Sequence, residues 1–346
     1  MTTHDAQTFE TFSVITGNTI QTLIHEDIEG CIRTIEEAYL AHDSGLTVNP
    51  PSVFLRFPDR PKDRIIALPA HLSDSRQVSG LKWISSYPEN VRAGIPRASA
   101  VLILNECKHG RPFACLEGSV ISAARTAASA VLAAKSLRPA AGQKVHSIGF
   151  IGTGLIARNI LLFMLRTGWD VETLHLFDSD RRSQLEFSEW VRSEGFDADI
   201  VHDDDIGSTV RECEIVVFAT VAGRPHVTDL TLFGHCPTVL HISLRDISPE
   251  IVLASNNIVD DAHHALTADT SLHLAEKQTG HREFVTGSLA DILLNRRAPN
   301  PGKSIIFSPF GLGMLDLALG KWIYDRAVAS GKHLPVGDFF VTPSAA

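Results

Sequence analysis

Two hydrophobic rhythms divide this chain. Over residues 24–41, Ile24, Ile28, Ile32, Ile35 and Leu40 fall at helical spacing, with Glu26, Asp27, Glu36 and Glu37 between them. This predicts one amphipathic helix. From residue 49 to 104 the texture changes to the short runs SVFLRF, RIIALPA, SGLKWISS and ASAVLILN, separated by Pro, Gly and Asp. These read as strands of a hairpin sheet. Residues 118–137, GSVISAARTAASAVLAAKSL, are strong helix formers that stop at Pro139 and Gly142, which predicts a connecting helix.

Beyond that helix the apolar runs become continuous. KVHSIGFIG, VETLHLFD, ADIVH, EIVVFAT, PTVLHISL and NNIVDD read as strands, with helical stretches at 155–167 and 181–194. Strands alternating with helices and apolar throughout predict a parallel sheet covered on both faces. SIIFSPFG and a helix over 315–329 follow, and the helix is expected to rejoin the first domain. The fold class is therefore α/β: a Rossmann-type doubly wound parallel sheet plus a bipartite α+β domain.

Composition narrows the function classes. The chain has 346 residues, 31 Lys and Arg against 40 Asp and Glu, and a formal net charge of −9. That balance argues against a non-specific nucleic-acid binder. The most apolar stretch, 120–137, is interrupted by Arg125 and Lys135 and built largely of Ala and Ser, so no membrane span is expected. No secretory signal is read in MTTHDAQTFE. The five cysteines, Cys31, Cys107, Cys115, Cys213 and Cys236, form no C-x-x-C pair. A reducing, cytoplasmic setting is expected, with the thiols in core or neutral positions. His263, His264, His273 and His281 match no metal-ligand spacing and are expected on loops and surface; no metal is expected.

The most specific motif is SIGFIGTGLIARNILLF. Gly152, Gly154 and Ala157 follow a strand at G-x-G-x-x-A spacing and open a helix. In a dinucleotide turn the first glycine permits the sharp bend, the second admits the pyrophosphate and the small third residue packs helix on strand. Phosphates then face the helix N-terminus. The next strand ends at Asp178, expected to accept from the ribose hydroxyls and to favour NAD over NADP, although Arg181 and Arg182 follow. Thr153, Leu155 and Ile156 complete the loop. Thr220, at the end of EIVVFAT, sits at the expected edge of the nucleotide crevice, a strand-capping hydroxyl being the alternative. Ser243 is placed on the same side.

Four cations in an acidic protein are candidates for substrate carboxylates: Arg56 in VFLRFP, Lys82 in GLKWIS, Arg97 in GIPRAS and Arg125 in the Ala-rich helix. An arginine among alanines should be partly buried and needs an anionic partner, either a substrate carboxylate or an internal Asp or Glu. Taken alone, Arg56 and Lys82 read better as exposed strand charges. Asp246, after the strand TVLHISL, is placed to take a proton from an amine or activate a water; alone, it reads as a turn or N-cap aspartate serving residues 248–251.

RTAASAVLAAKSL, GTGLIA, VVFAT and FSPFGLGMLDLALGKWIYDRA resemble the ornithine cyclodeaminase and mu-crystallin family over nearly the whole chain. NPPSVFLRFP, RIIALPA, GIPRASAVLILN, RPFACLEGSVISAARTAASA and LHISLRDISPE resemble one branch of it, the dehydrogenases of 2,3-diaminopropionate biosynthesis in siderophore pathways of the staphyloferrin B type. The resemblance implies an NAD-linked enzyme that converts N-(2-amino-2-carboxyethyl)-L-glutamate to L-2,3-diaminopropionate and 2-oxoglutarate. It implies a catalytic carboxylate at Asp246 and substrate-binding roles for Lys82, Arg125 and, less closely matched, Arg56. It also implies a homodimer, with a substrate-binding and dimerisation domain at 1–130 and 308–346 and an NAD domain at 131–307.

Two departures from cyclodeaminases stand out. Asp246 is followed by Ile247, Ser248 and Pro249 where they carry Pro-Gly-Lys, and Ile156 replaces their loop glutamine. Ornithine has one carboxylate and two amines, whereas the conjugate has three carboxylates, which four cations suit better. The alternatives are an ornithine cyclodeaminase, an imine reductase or amino-acid dehydrogenase of the same fold, and a mu-crystallin-like nucleotide-dependent binding protein.

Overall fold

A computed structural model describes residues 11–138 and 144–341. The stop signals Pro139 and Gly142 and the N-terminal decapeptide lie outside the described residues. In chain order the elements are β1 (Phe12–Ile15), α1 (Gly17–Glu26), α2 (Ile28–Asp43), β2 (Thr47–Val48), β3 (Val53–Phe57), β4 (Arg60–Leu72), β5 (Val78–Ser86), β6 (Ala98–Glu106), β7 (Pro112–Glu117) and α3 (Gly118–Leu137). They continue with β8 (Lys144–Ile151), α4 (Leu155–Arg166), β9 (Asp170–Phe177), α5 (Arg181–Ser193), β10 (Asp199–His202), α6 (Ile206–Glu212), β11 (Ile215–Phe218) and β12 (Thr238–His241). The last are α7 (Pro249–Ala254), β13 (Asn256–Val259), α8 (Ala262–Ala265), α9 (Ser271–Thr279), β14 (Val285–Ser288), α10 (Leu289–Leu293), β15 (Ile305–Ser308), α11 (Gly313–Ala329) and β16 (Leu334–Val336).

Two compact units result, one holding the chain up to Arg125 together with the segment from Leu312, the other Thr126–Gly311. In the first, the sheet runs β16-β1-β7-β6-β5-β4-β2, with β3 paired to β4. The expected hairpins from β3 to β7 are antiparallel, but β1 joins β7 in parallel and β16 adds to β1, so the sheet is mixed. Helix α11 packs on β4, β5, β6 and α2, with Met314, Leu315, Leu317, Ala318, Leu319 and Ile323 buried.

The single helix expected over 24–41 is two. Asp27 breaks it: its φ is −154° and its side chain caps α2 by accepting from Gly30 N at 2.8 Å. An aspartate gains more from that first-turn donor than from continuing the helix. A Cβ on Gly30 would lie 2.3 Å from Asp27 Oδ2, so glycine permits the cap.

The second unit carries the parallel sheet, in the order β10-β9-β8-β11-β12-β15-β13-β14. Its central strands are buried along their length, as at Ile215–Phe218, which is why they lack a polar alternation. The strand of SIIFSPFG, β15, lies between β12 and β13, where an apolar run is covered on both faces. Only the segment from Leu312 returns, as α11 and β16. Helix α3 is long and apolar enough to cross a membrane by length and composition, yet 72% of its apolar window is buried inside the protein, as in a core helix.

Candidate active site

The strand order reverses between β8 and β11, and the loops after them sit at the carboxyl edge of the sheet, where doubly wound folds bind ligands. Gly152 has φ +88°, and a Cβ there would lie 2.7 Å from Ala219 O, so the turn after β8 closes only with glycine. Gly154 caps α4 with no side-chain hydrogen bond, and a Cβ on it would meet nothing within 4 Å. The first amides of a 12-residue helix therefore begin beside open space, which suits a diphosphate.

Asp178 braces this loop. One oxygen accepts from Thr153 N at 2.8 Å and Thr153 Oγ1 at 3.1 Å, the other from Asp180 N at 3.0 Å. Two carboxylate oxygens offer roughly four acceptor positions, so capacity for a ribose hydroxyl remains. Thr153 is buried, Ile156 is half-buried and Leu155 is exposed at the helix start. These residues fit a dinucleotide.

Asp246 follows β12 and is fully buried. Thr220 Oγ1 donates to its Oδ1 at 2.5 Å and itself accepts from Ala222 N at 3.0 Å. Ser243 Oγ donates to Oδ2. Thr220 and Ser243, expected on the nucleotide, are thus brought onto the carboxylate. Between Ser243 and Asp246, Leu244 is held at φ +69°, a left-handed conformation that marks an over-determined loop. The N-cap of α7 is Ser248, so Asp246 is not the capping residue that its position alone suggested.

Buried His241, which no sequence motif marks out, places Nε2 3.1 Å from Asp246 N and 3.3 Å from Asp246 Oδ2, and its Nδ1 is 3.3 Å from Ser308 Oγ. Burial pushes the Asp246 carboxyl up, but His241, Ser243 and Thr220 outweigh it and hold the group below its ordinary value. It is a carboxylate at neutral pH. Half-exposed His226 places Nε2 3.9 Å from Asp246 Oδ1.

In the first unit Lys82 is not an exposed strand charge, being only 2% exposed. Its ammonium lies 2.6 Å from Asp316 Oδ2 and 3.1 Å from Ser122 Oγ. Arg125 Nε reaches Asp316 Oδ1 at 3.3 Å. The internal acid weighed for Arg125 therefore exists, shared with Lys82. Its signal was Asp316 itself, a lone acid in the apolar run GMLDLALG, which demands a cation. Burial pushes the Lys82 ammonium down to about 8, against the pull of Asp316, and Arg125 lowers it further.

Arg56 and Arg97 lie at the surface, away from this triad along the strands. Arg56 stacks on Phe54 with its guanidinium carbon 5.0 Å from the ring centroid. Arg97 Nη2 is 3.5 Å from Ser86 Oγ.

All five cysteines are free; Cys31 and Cys213 are buried, Cys107 and Cys236 exposed. His263 and His264 stand on α8 and His273 on α9 rather than on loops, while His281 is exposed. Among the described residues no group of His, Cys, Asp or Glu could hold a metal ion.

The chain is similar to several known proteins over most of its length. N-((2S)-2-amino-2-carboxyethyl)-L-glutamate dehydrogenase of Staphylococcus aureus is 27% identical over 311 residues, 86% of this chain and 89% of the relative. Among solved structures, Thermococcus litoralis Delta(1)-pyrroline-2-carboxylate reductase in complex with NADH and L-proline superimposes with a TM-score of 0.85 at 23% identity, covering 94% of this chain and all of that one. An archaeal alanine dehydrogenase dimer with bound NAD gives 0.82 at 24%, covering 95% and 100%. The sequence profile of one family matches residues 16–331. The chain belongs to the ornithine cyclodeaminase/mu-crystallin family.

Proposed function

We propose that this chain oxidatively cleaves N-(2-amino-2-carboxyethyl)-L-glutamate to L-2,3-diaminopropionate and 2-oxoglutarate, as a step in making a siderophore or related metabolite. At the coarser level it is an NAD-dependent oxidoreductase acting on the CH–NH group of an amino-acid substrate. NAD, held by the Gly152–Ile156 turn and Asp178, supplies the hydride acceptor.

Two observations carry the reading: an ionised, hydroxyl-braced carboxylate, Asp246, in one unit, and a surplus of cations for carboxylates in the other. Lys82 and Arg125 share one acid, so the triad keeps one positive charge and takes one substrate carboxylate. Asp246 accepts the proton of the bridging secondary amine as hydride leaves the glutamyl α-carbon. That proton passes to solvent, and the restored carboxylate draws a proton from the water that adds to the imine carbon and returns it to the amine nitrogen as the carbinolamine collapses to the keto acid and the free amine. Conjugate, NAD+ and water thus yield 2-oxoglutarate, diaminopropionate, NADH and a proton. Thr220 and Ser243 fix the carboxylate, and positioning supplies much of the rate. The relative from Staphylococcus aureus, whose name states this substrate, supports the choice.

The functional form is a homodimer. Val53, Ala67, Trp83 and Val101 lie directly opposite one another across β3, β4, β5 and β6. Val53 is 64% exposed, and Trp83 and Val101 are each 40% exposed. A row of this kind is an apolar patch suited to a second copy.

The test mixes purified protein and NAD+ with the conjugate, L-ornithine or L-glutamate, following NADH by absorbance and assaying the ornithine sample for proline and ammonia. NADH and 2-oxoglutarate from the conjugate alone support the reading. Proline and ammonia from ornithine, with an inert conjugate, replace it by cyclodeamination. Inert substrates with bound NAD point to a binding protein.

A further inference from the structure

Oxidation of the conjugate leaves one surplus proton per turnover, and the group that first receives it, Asp246, is 0% exposed. A buried acid needs an outlet before the next cycle can begin. Its two hydroxyl neighbours lead no further: Thr220 Oγ1 also meets Ala222 N, a donor, and Ser243 Oγ also meets Phe218 O. Backbone groups do not titrate, so these contacts brace the carboxylate without draining it.

Two imidazoles approach Asp246 within the second unit. His241 Nε2 is 3.3 Å from Oδ2, but the ring is fully buried and its Nδ1 meets Ser308 Oγ, on a residue 1% exposed. That path runs inward. His226 Nε2 is 3.9 Å from Oδ1, and its side chain is 37% exposed. Of the two rings, His226 is the one that reaches solvent.

Backbone hydrogen bonds hold it beside the carboxylate. His226 N and Val227 N both donate to Asp246 O, at 2.8 and 2.9 Å, and Ser248 N donates to Val227 O at 2.9 Å. A substitution at 226 that keeps the amide keeps this frame. The other charged groups of the two loops are engaged elsewhere or lie at the surface: Arg245 on Ala268 O, Asp229 on Thr231 N, and Arg224 exposed. A gap of 3.9 Å exceeds a hydrogen bond; rotation of an exposed side chain or one water closes it.

We propose that His226 is the proton relay between Asp246 and solvent. The relay rests on the cleavage reading and deepens it, and His226 acts through Asp246 rather than on the substrate. Once the bridging amine has given its proton to Asp246, the carboxyl O–H passes it to the neutral imidazole at Nε2. The imidazolium then releases a proton to water or buffer, which restores the carboxylate and the neutral ring. An imidazole suits this task because it gains and loses a proton near neutral pH. Asp246 is held below its ordinary value, so it parts with the proton once a path exists.

The experiment measures kcat and KM for the conjugate at saturating NAD+ in wild type, His226→Ala and His226→Gln, over a range of buffer concentrations and with added imidazole. In both variants kcat is expected to fall about 100-fold, the lower end of what a proton-transfer group is worth, with KM and NAD affinity unchanged. Added imidazole restores kcat in His226→Ala and leaves wild type alone, a rescue that a merely structural role would not show. Wild-type kcat in both variants, or a loss that neither buffer nor imidazole repairs, overturns the relay and leaves the cleavage reading standing. A wild type that does not oxidise the conjugate removes the cleavage reading, and the relay with it.

Discussion

The ammonium of Lys82 lies 2.6 Å from Asp316 Oδ2, between a strand and a helix that are 234 residues apart in the chain. Both groups are buried and Arg125 is the second cation on the same carboxylate. Removing one partner of such a cluster leaves uncompensated charge in the core. Asp316→Asn is expected to cost about 3–5 kcal/mol in denaturant unfolding. Replacing all three groups together, Lys82→Met, Arg125→Met and Asp316→Leu, should recover much of that loss and abolish substrate binding.

Lys82 also sets a pH limit. Its folded value is about 8 against an ordinary 10.5. The folded protein therefore gives up this proton first as pH rises. Between those values the unfolded chain binds more protons, so this group's contribution to stability rises with pH. Carboxylate binding goes the other way, because the cation is lost above about 8. A kcat/KM profile should fall on its basic side near that pH, and Lys82→Arg should move the limb upward.

Asp246 is held below its ordinary value. Asp246→Asn should lower turnover by about 100- to 10,000-fold, the usual worth of a proton-transfer group, and leave NAD affinity unchanged. Thr220→Val and Ser243→Ala each remove a hydrogen bond to the ionised form. Each should move the acidic limb of the pH profile upward, toward neutrality. A limb that stays in place would remove the bracing role of these hydroxyls.

Gly152→Ala places a Cβ 2.7 Å from Ala219 O at φ +88°. The turn must shift, so NAD binding measured by fluorescence titration should be lost and the melting temperature lowered.

Trp83→Glu puts a charge into the exposed row across β3 to β6. Light scattering should then report a monomer where the wild type is a dimer. Wild-type protein running as a monomer would remove the dimer proposal.

The parallel sheet was legible because continuous apolar strands and a Gly152–Gly154–Ala157 turn carry one physical meaning each. The helix break at Asp27 was not, because the apolar spacing of Ile24 and Ile28 continues through it and only the cap to Gly30 interrupts the backbone. The partners of strand β15 were not legible, because an apolar run reveals burial but not what it pairs with. At the site, Asp246 and Lys82 were visible as chemistry, yet their neighbours depend on tertiary pairing. Asp316 meets Lys82 and His241 meets Asp246 only after folding.

Everything proposed for Asp246 and the cations depends on hydride leaving the glutamyl α-carbon of the conjugate. Conjugate deuterated at that carbon, incubated with NAD+ and the protein, tests this most directly, with nucleotide and keto acid read by mass spectrometry. One deuterium is expected in the reduced nucleotide and none in the 2-oxoglutarate. Unlabelled reduced nucleotide, or deuterium retained in the organic product, would contradict it.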